Sequence, residues 1–173
     1  VRHPGEKFVE RHENEWPLAR TQWSKFYIHP ADMTMSTATP TSESAVTYAG
    51  FGDGVTFLTE PLEHETEFTG PIAAKLWVSS ATEDADLFLV VRAFTPDLKE
   101  VTFQGALDAH TPIAQGWLRC SHRKLDPKLT LPYRPYHTHD EEQKLNAGQV
   151  YEVDVEVWPT CIVLPKGYRL ALS

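Results

Sequence analysis

Three short stretches bring together residue types that can do chemistry. His137-Thr-His139-Asp140 places two histidines at i and i+2; on a strand both imidazoles point to one side, and a metal ion would need a third ligand from elsewhere. The pair follows Pro132-Tyr-Arg-Pro-Tyr136 and precedes Glu141-Glu-Gln143, a polar, proline-bounded loop in which two histidines need no special role. Third and fourth ligand positions are missing, so no metal is expected. Asp84-Ala-Asp86 has the oxygen-rich character of a Ca²⁺ loop but not the ligand count, and turn chemistry is the better reading. Ser121, His122 and Asp126 are the residue types of a nucleophilic triad. Neighbours in sequence seldom assemble one, and nothing nearby supplies an oxyanion hole.

The remaining motifs point the same way. No G-x-S-x-G occurs, so the strand-to-helix elbow that lifts a serine nucleophile is absent. Gly50-Phe-Gly-Asp-Gly54 is glycine-rich, but no helix follows to receive a phosphate and no Lys-Ser or Lys-Thr closes a P-loop, which leaves a tight loop. The chain is therefore expected to hold no catalytic residue and no cofactor of its own.

The elements that would position these residues are strands. From Val150 to Val157, Val153, Val155 and Val157 alternate with Glu152, Asp154 and Glu156, the pattern of a half-buried strand. Ile72–Ser79 and Asp86–Phe94 are rich in apolar and β-branched residues and read as central strands joined in a hairpin. Shorter candidates are Lys25–Ile28, Val46–Tyr48, Val55–Leu58, Trp117–Arg123 and Tyr168–Leu172, each bounded by turn-forming residues. Ala31–Ser44, rich in Ser, Thr and Pro, reads as a loop, and 108–113 has room for one short turn. No segment carries the i, i+3, i+4, i+7 spacing of an amphipathic helix, and 13 prolines argue against helices throughout. About eight strands without alternating helices predict an all-β jelly-roll sandwich.

The 173 residues are enough for one domain, here 1–173, with a sizeable core. Sixteen Lys and Arg against 24 Asp and Glu give a net charge of −8, which disfavours a nucleic-acid partner, and no apolar run is long enough for a membrane span. An acidic chain of this kind suits the cytoplasm. Cys120 and Cys161 are too few for a disulfide framework and are expected as buried free thiols. Of Trp16, Trp23, Trp77, Trp117 and Trp158, three sit in or next to apparent strands, where filling the core is the expectation, the alternative being a carbohydrate-binding face of the kind jelly rolls present. A chain opening on Val1 and stopping at Ser173 within a strand reads as cut from a longer one.

Several stretches in order carry a resemblance: Trp16-Pro-Leu18, Phe26-Tyr-Ile28, Gly70-Pro71 leading into Leu76-Trp-Val-Ser-Ser80, Asp84-Ala-Asp86, Gly116-Trp-Leu-Arg119, Ser121-His-Arg123, Gly148-Gln-Val150, Trp158-Pro-Thr160 and Pro165-Lys-Gly-Tyr-Arg-Leu170. Together they resemble the C-terminal, galactose-binding-domain-like jelly roll of the CocE/NonD and X-prolyl dipeptidyl peptidase group. The resemblance implies a non-catalytic domain packed on an α/β-hydrolase catalytic domain of the same chain, which cleaves esters or X-Pro amides with a Ser-His-Asp triad upstream of Val1. It implies further that the fragment is inactive alone and that the closing strands lie beyond Ser173. In related esterases the region of the short Ala49–Gly54 segment looks toward the acyl pocket, which makes Phe51 and Asp53 the candidates for facing the catalytic half and its small ester or peptide substrate. Self-association remains open.

Overall fold

A run of alternating valines sets one face of the longest strand, and that strand continues well past the run. The computed structural model describes all 173 residues and contains eight strands. They are β1 (Tyr27–His29), β2 (Thr34–Ser36), β3 (Phe57–Leu58), β4 (Thr66–Val78), β5 (Asp86–Phe94), β6 (Ala114–Arg119), β7 (Tyr151–Leu164) and β8 (Arg169–Leu172). The helical content is one 3₁₀ turn, Cys120–His122, and no helix is long and apolar enough to cross a membrane. The all-β, eight-stranded, jelly-roll-like expectation holds.

The hydrogen-bonded strand order is β1-β2-β3-β8-β5-β6-β7-β4. β4 and β5 are therefore not a hairpin: β5 lies between β8 and β6, and β4 lies beside β7. Alternation identified both strands but carries no information about which neighbour each takes. Two shorter assignments also change. Val46–Tyr48 forms no strand and is exposed. β2 lies inside the stretch read as a loop: Met33 takes a positive φ of 59°, the Asp32 carboxylate accepts from the Thr34 N–H and Oγ1, and the chain turns back so that Ile28 pairs with Met35. Asx-turn chemistry of this kind is what made the segment look like loop.

By contact density the chain divides into two compact units, Val1–Gly70 with Val90–Ala114 and Thr160–Ser173, and Pro71–Leu89 with Gln115–Pro159. In the first, β8 pairs with β3 through Leu58 and Ala171 and with β5 through Ala93 and Leu170, with Phe57, Ala93 and Leu170 buried on one face of this ladder and Ala171 buried on the other. Its N-terminal segment lies along the end of β7, with the Arg2 N–H donating to the Cys161 carbonyl at 3.0 Å and the Val163 N–H donating to the Arg2 carbonyl at 3.0 Å. The Arg2 guanidinium donates to the Ile113 carbonyl at 2.9 Å and to Thr160 Oγ1, and sits 4.7 Å over the Phe103 ring.

In the second unit Val153, Val155 and Val157 are buried, as their alternation requires, together with Leu118 and Cys120. β6 and β7 pair with Gly116 opposite Val157. Gly116 is there because the strands leave no room for a side chain: a Cβ would lie 2.2 Å from the Glu156 carbonyl oxygen and 2.8 Å from Val157 Cα. Those are backbone atoms, so the clash cannot be relieved by a rotamer change. Gly116→Ala is expected to cost about 2 kcal/mol or more, read as a lower urea midpoint at unchanged slope; an unaltered midpoint would show that β6 can move away from β7 at no cost.

Candidate functional site

The three triad-like residues come apart in the structure. β6 ends at Arg119 and the chain tightens into the 3₁₀ turn, whose first N–H, from Cys120, donates to the Ala85 carbonyl at 2.8 Å. Ser121 is completely buried, and its Oγ donates to Asp84 Oδ2 at 2.6 Å while its N–H donates to Asp84 Oδ1 at 2.9 Å. The Ala85 N–H donates to the same Oδ1 at 3.0 Å. Burial pushes the Asp84 carboxyl up, but these three hydrogen bonds and the charge of Lys144 outweigh it and hold the group below the usual carboxylate range. Ser121 thus has a carboxylate acceptor and no access to a substrate. His122 turns instead to His139, with the two Nδ1 atoms 3.1 Å apart, and Asp126 caps the next turn through the N–H groups of Lys128 and Leu129.

The remaining reactive side chains are similarly committed. His137, His139 and His122 lie near one another, but no set of three or more His, Cys, Asp or Glu converges in a way that could hold a metal ion. Burial lowers the pKa of His137, and its Nε2 is enclosed without a hydrogen-bond partner. Asp84 and Asp86 do not converge on a common point: Asp86 accepts a two-pronged ion pair from Arg119 at 2.8 and 2.9 Å. Both cysteines are free thiols. Cys120 is buried, and burial followed by the charge of Asp84 pushes it up to about 11, which keeps it a thiol at neutral pH. Cys161 is only partly buried, against the expectation for it, and accepts from Thr69 Oγ1 at 3.3 Å. It borders a cavity of about 420 Å³ between β4 and the segment Arg11–Leu18.

The Ala49–Gly54 loop behaves differently. Its one internal backbone hydrogen bond runs from the Gly52 N–H to the Ala49 carbonyl at 2.9 Å, and Gly54 has φ 70°. Phe51 stands fully exposed at the tip and Asp53 is exposed beside it. An aromatic side chain held out on a glycine-flanked turn can contribute binding surface to another body, and the one ionisable side chain in the loop beside it is the Asp53 carboxylate.

The sequence profile of the X-Pro dipeptidyl-peptidase C-terminal non-catalytic domain matches residues 2–173. The chain belongs to that family. A CocE/NonD family hydrolase from Staphylococcus aureus has a crystal structure similar to this X-Pro dipeptidyl-peptidase C-terminal domain, with TM-score 0.94 and 27% identity over 99% of this chain and 32% of that one. The cocaine esterase of Rhodococcus sp. is 26% identical over 94% of this chain and 31% of its own length. An aminopeptidase from a marine sediment archaeon, Thaumarchaeota archaeon, shares the fold at TM-score 0.65 and 15% identity, covering 91% of this chain and 30% of that one. The domain thus spans about a third of each of these relatives.

Sequence reasoning missed the outward tryptophans. All five are more than half exposed, including the three in or beside strands that were expected to fill the core. Trp117 and Trp158 meet with ring centroids 5.3 Å apart and planes tilted by 55°. The signal was present: Trp117 and Trp158 fall on the same alternation as Arg119 and Glu156, the polar side of β6 and β7.

Asp84 supplies the test of the structural reading. Asp84→Ala leaves the buried Ser121 hydroxyl and N–H unmatched and is expected to cost about 2 to 3 kcal/mol at neutral pH. Because the folded carboxyl is held below its unfolded value, its contribution is present above the ordinary carboxylate range and is lost as the pH falls through the folded pKa. The gap between wild type and variant in denaturant unfolding should therefore shrink below about pH 4; a gap independent of pH would assign the loss to packing instead.

Proposed function

We propose that this chain is the accessory domain of a CocE/NonD-type serine hydrolase. It packs on an α/β-hydrolase catalytic domain that precedes Val1 in the same polypeptide, and it helps to shape the substrate pocket through Phe51 and Asp53. The observation that carries the reading is Phe51: a large apolar ring that makes no use of its own domain's core and sits at the tip of a loop with one internal hydrogen bond. Burying such a ring elsewhere recovers about 2 kcal/mol or more. The family description, a non-catalytic C-terminal domain, and the sequestering of Ser121 support an accessory role. The cocaine esterase among its relatives and the X-Pro dipeptidyl-peptidase for which its family is named favour hydrolysis of an acyl ester or an X-Pro amide by the complete enzyme.

Two experiments on the complete hydrolase test this. A fluorophosphonate should label a serine upstream of Val1 and leave the peptide containing Ser121 unmodified; label on Ser121 or any other serine of these 173 residues would overturn the accessory role. Phe51→Ala should raise KM by roughly tenfold with kcat and the unfolding midpoint little changed, the pattern of a lost binding contact. Unchanged kinetics across a series of ester and X-Pro substrates would remove Phe51 from the pocket.

A further inference from the structure

The outward side of β5, β6 and β7 in the second unit carries an aromatic row that the proposed function does not use. Phe88 is 71% exposed, Trp117 54% and Trp158 61%. Arg119 meets Asp86 across β6 and β5, and Phe88 and Trp117 lie two residues further along, on the same outward side. The pairing of Gly116 with Val157 puts Trp117 opposite Glu156 and brings it diagonally against Trp158. Three large rings are thus gathered in one region rather than scattered, which is the arrangement that marks an interaction surface.

The charges around the rings indicate what covers them. Arg119 is satisfied by both oxygens of Asp86, and Lys75 bridges Glu152 and Asp154. These pairs form an internally neutralised border about an aromatic centre, the layout of a protein interface with an apolar core and polar rim. The two indoles are tilted by 55° and so offer no single flat platform for a sugar ring, and the Arg119, Asp86 and Lys75 groups around them are already paired. Glu156, exposed next to Trp117, has no cationic partner of its own.

We infer that Phe88, Trp117 and Trp158 are the docking surface for the catalytic domain of the same chain, whose matching surface is apolar and presents one basic side chain to Glu156. This rests on the accessory-domain reading above and names the surface through which it operates. The length of the relatives supports the choice of occupant. This domain makes up 32% of the S. aureus hydrolase, so the larger part of such a protein is tethered to it. Tethering raises the effective concentration of that part to about the millimolar range, which favours it over a free partner at this surface.

Hydroxyl-radical footprinting of the complete hydrolase, read by mass spectrometry, tests the inference. Oxidation of Phe88, Trp117 and Trp158 should be slowed about tenfold or more relative to the urea-unfolded protein, while Tyr136, exposed in the same unit, is slowed about twofold. Trp117→Glu should restore fast oxidation at Trp158 and split the single thermal transition into two. Three aromatics that oxidise as fast as Tyr136 would overturn the inference, leaving the accessory role standing if the fluorophosphonate still labels only an upstream serine. Label on Ser121 would instead remove the reading on which the inference rests. Protection that vanishes on dilution would assign the surface to a second copy, and protection that appears only with added oligosaccharide would assign it to a sugar; either result overturns the proposal.

Discussion

The interaction on which the fold depends is the alternation of buried side chains along β7, and its one interruption. Val153, Val155 and Val157 point inward at odd positions; Trp158 and Pro159 are both exposed; Thr160, Ile162 and Leu164 point inward at even positions. The phase slips by one residue. Without it, every inward residue after Pro159 would face solvent, since a strand's side chains change face at each step. Exposing Ile162 and Leu164 alone would cost about 2 kcal/mol each, a large part of the roughly 10 kcal/mol that holds a domain folded. Pro159 marks the slip, as a proline within a sheet tends to, because it has no N–H to give the ladder. It is also the last residue of one compact unit, and Thr160 opens the final stretch of the other.

The same economy explains why residue types that suggest reactivity are inert here. A polar group drawn into the fold must find a partner, and in this chain the partners are close at hand, Asp84 for the buried Ser121 and Glu100 for the part-buried Arg92, while at the surface Asp86 takes Arg119. Each pairing consumes the group that would have made its neighbour a nucleophile, a base or a ligand. Glu67 is the extreme case. The Arg11 guanidinium, with help from Thr69, holds its carboxyl down at about 2 and thereby fastens the N-terminal segment to β4. As that pair is well exposed, its contribution is about 1 kcal/mol at most.

How much of this was legible in the sequence follows from the range of the forces involved. β5 was readable residue for residue, because periodicity is a local property. β7 was readable as far as Val157, where the alternation breaks. β2 was hidden by Asp32, Thr34 and Ser36, whose side chains build the turn and decorate the strand that leaves it. The neighbours of β4 were not readable, since pairing is decided by sequence-distant partners. Among the reactive residues, the missing nucleophile elbow was legible directly, because it is a short contiguous motif. The meeting of His122 with His139 and of Ser121 with Asp84 lay beyond reach, because each joins segments 17 or 37 residues apart.

The Ala49–Gly54 loop stands apart from all of these constraints. Gly116 is held by backbone atoms closer than a methyl group would allow, and Ser121 is held by a carboxylate, so neither position can change freely. Phe51 touches nothing that folding requires, and its loop is closed by one internal hydrogen bond. Mutational drift at this tip is nearly free of any stability penalty, whereas drift in the strands is filtered by it. The domain therefore offers evolution a place to explore new molecular surface without risking the scaffold, and divergence among descendants of such a chain should accumulate there first.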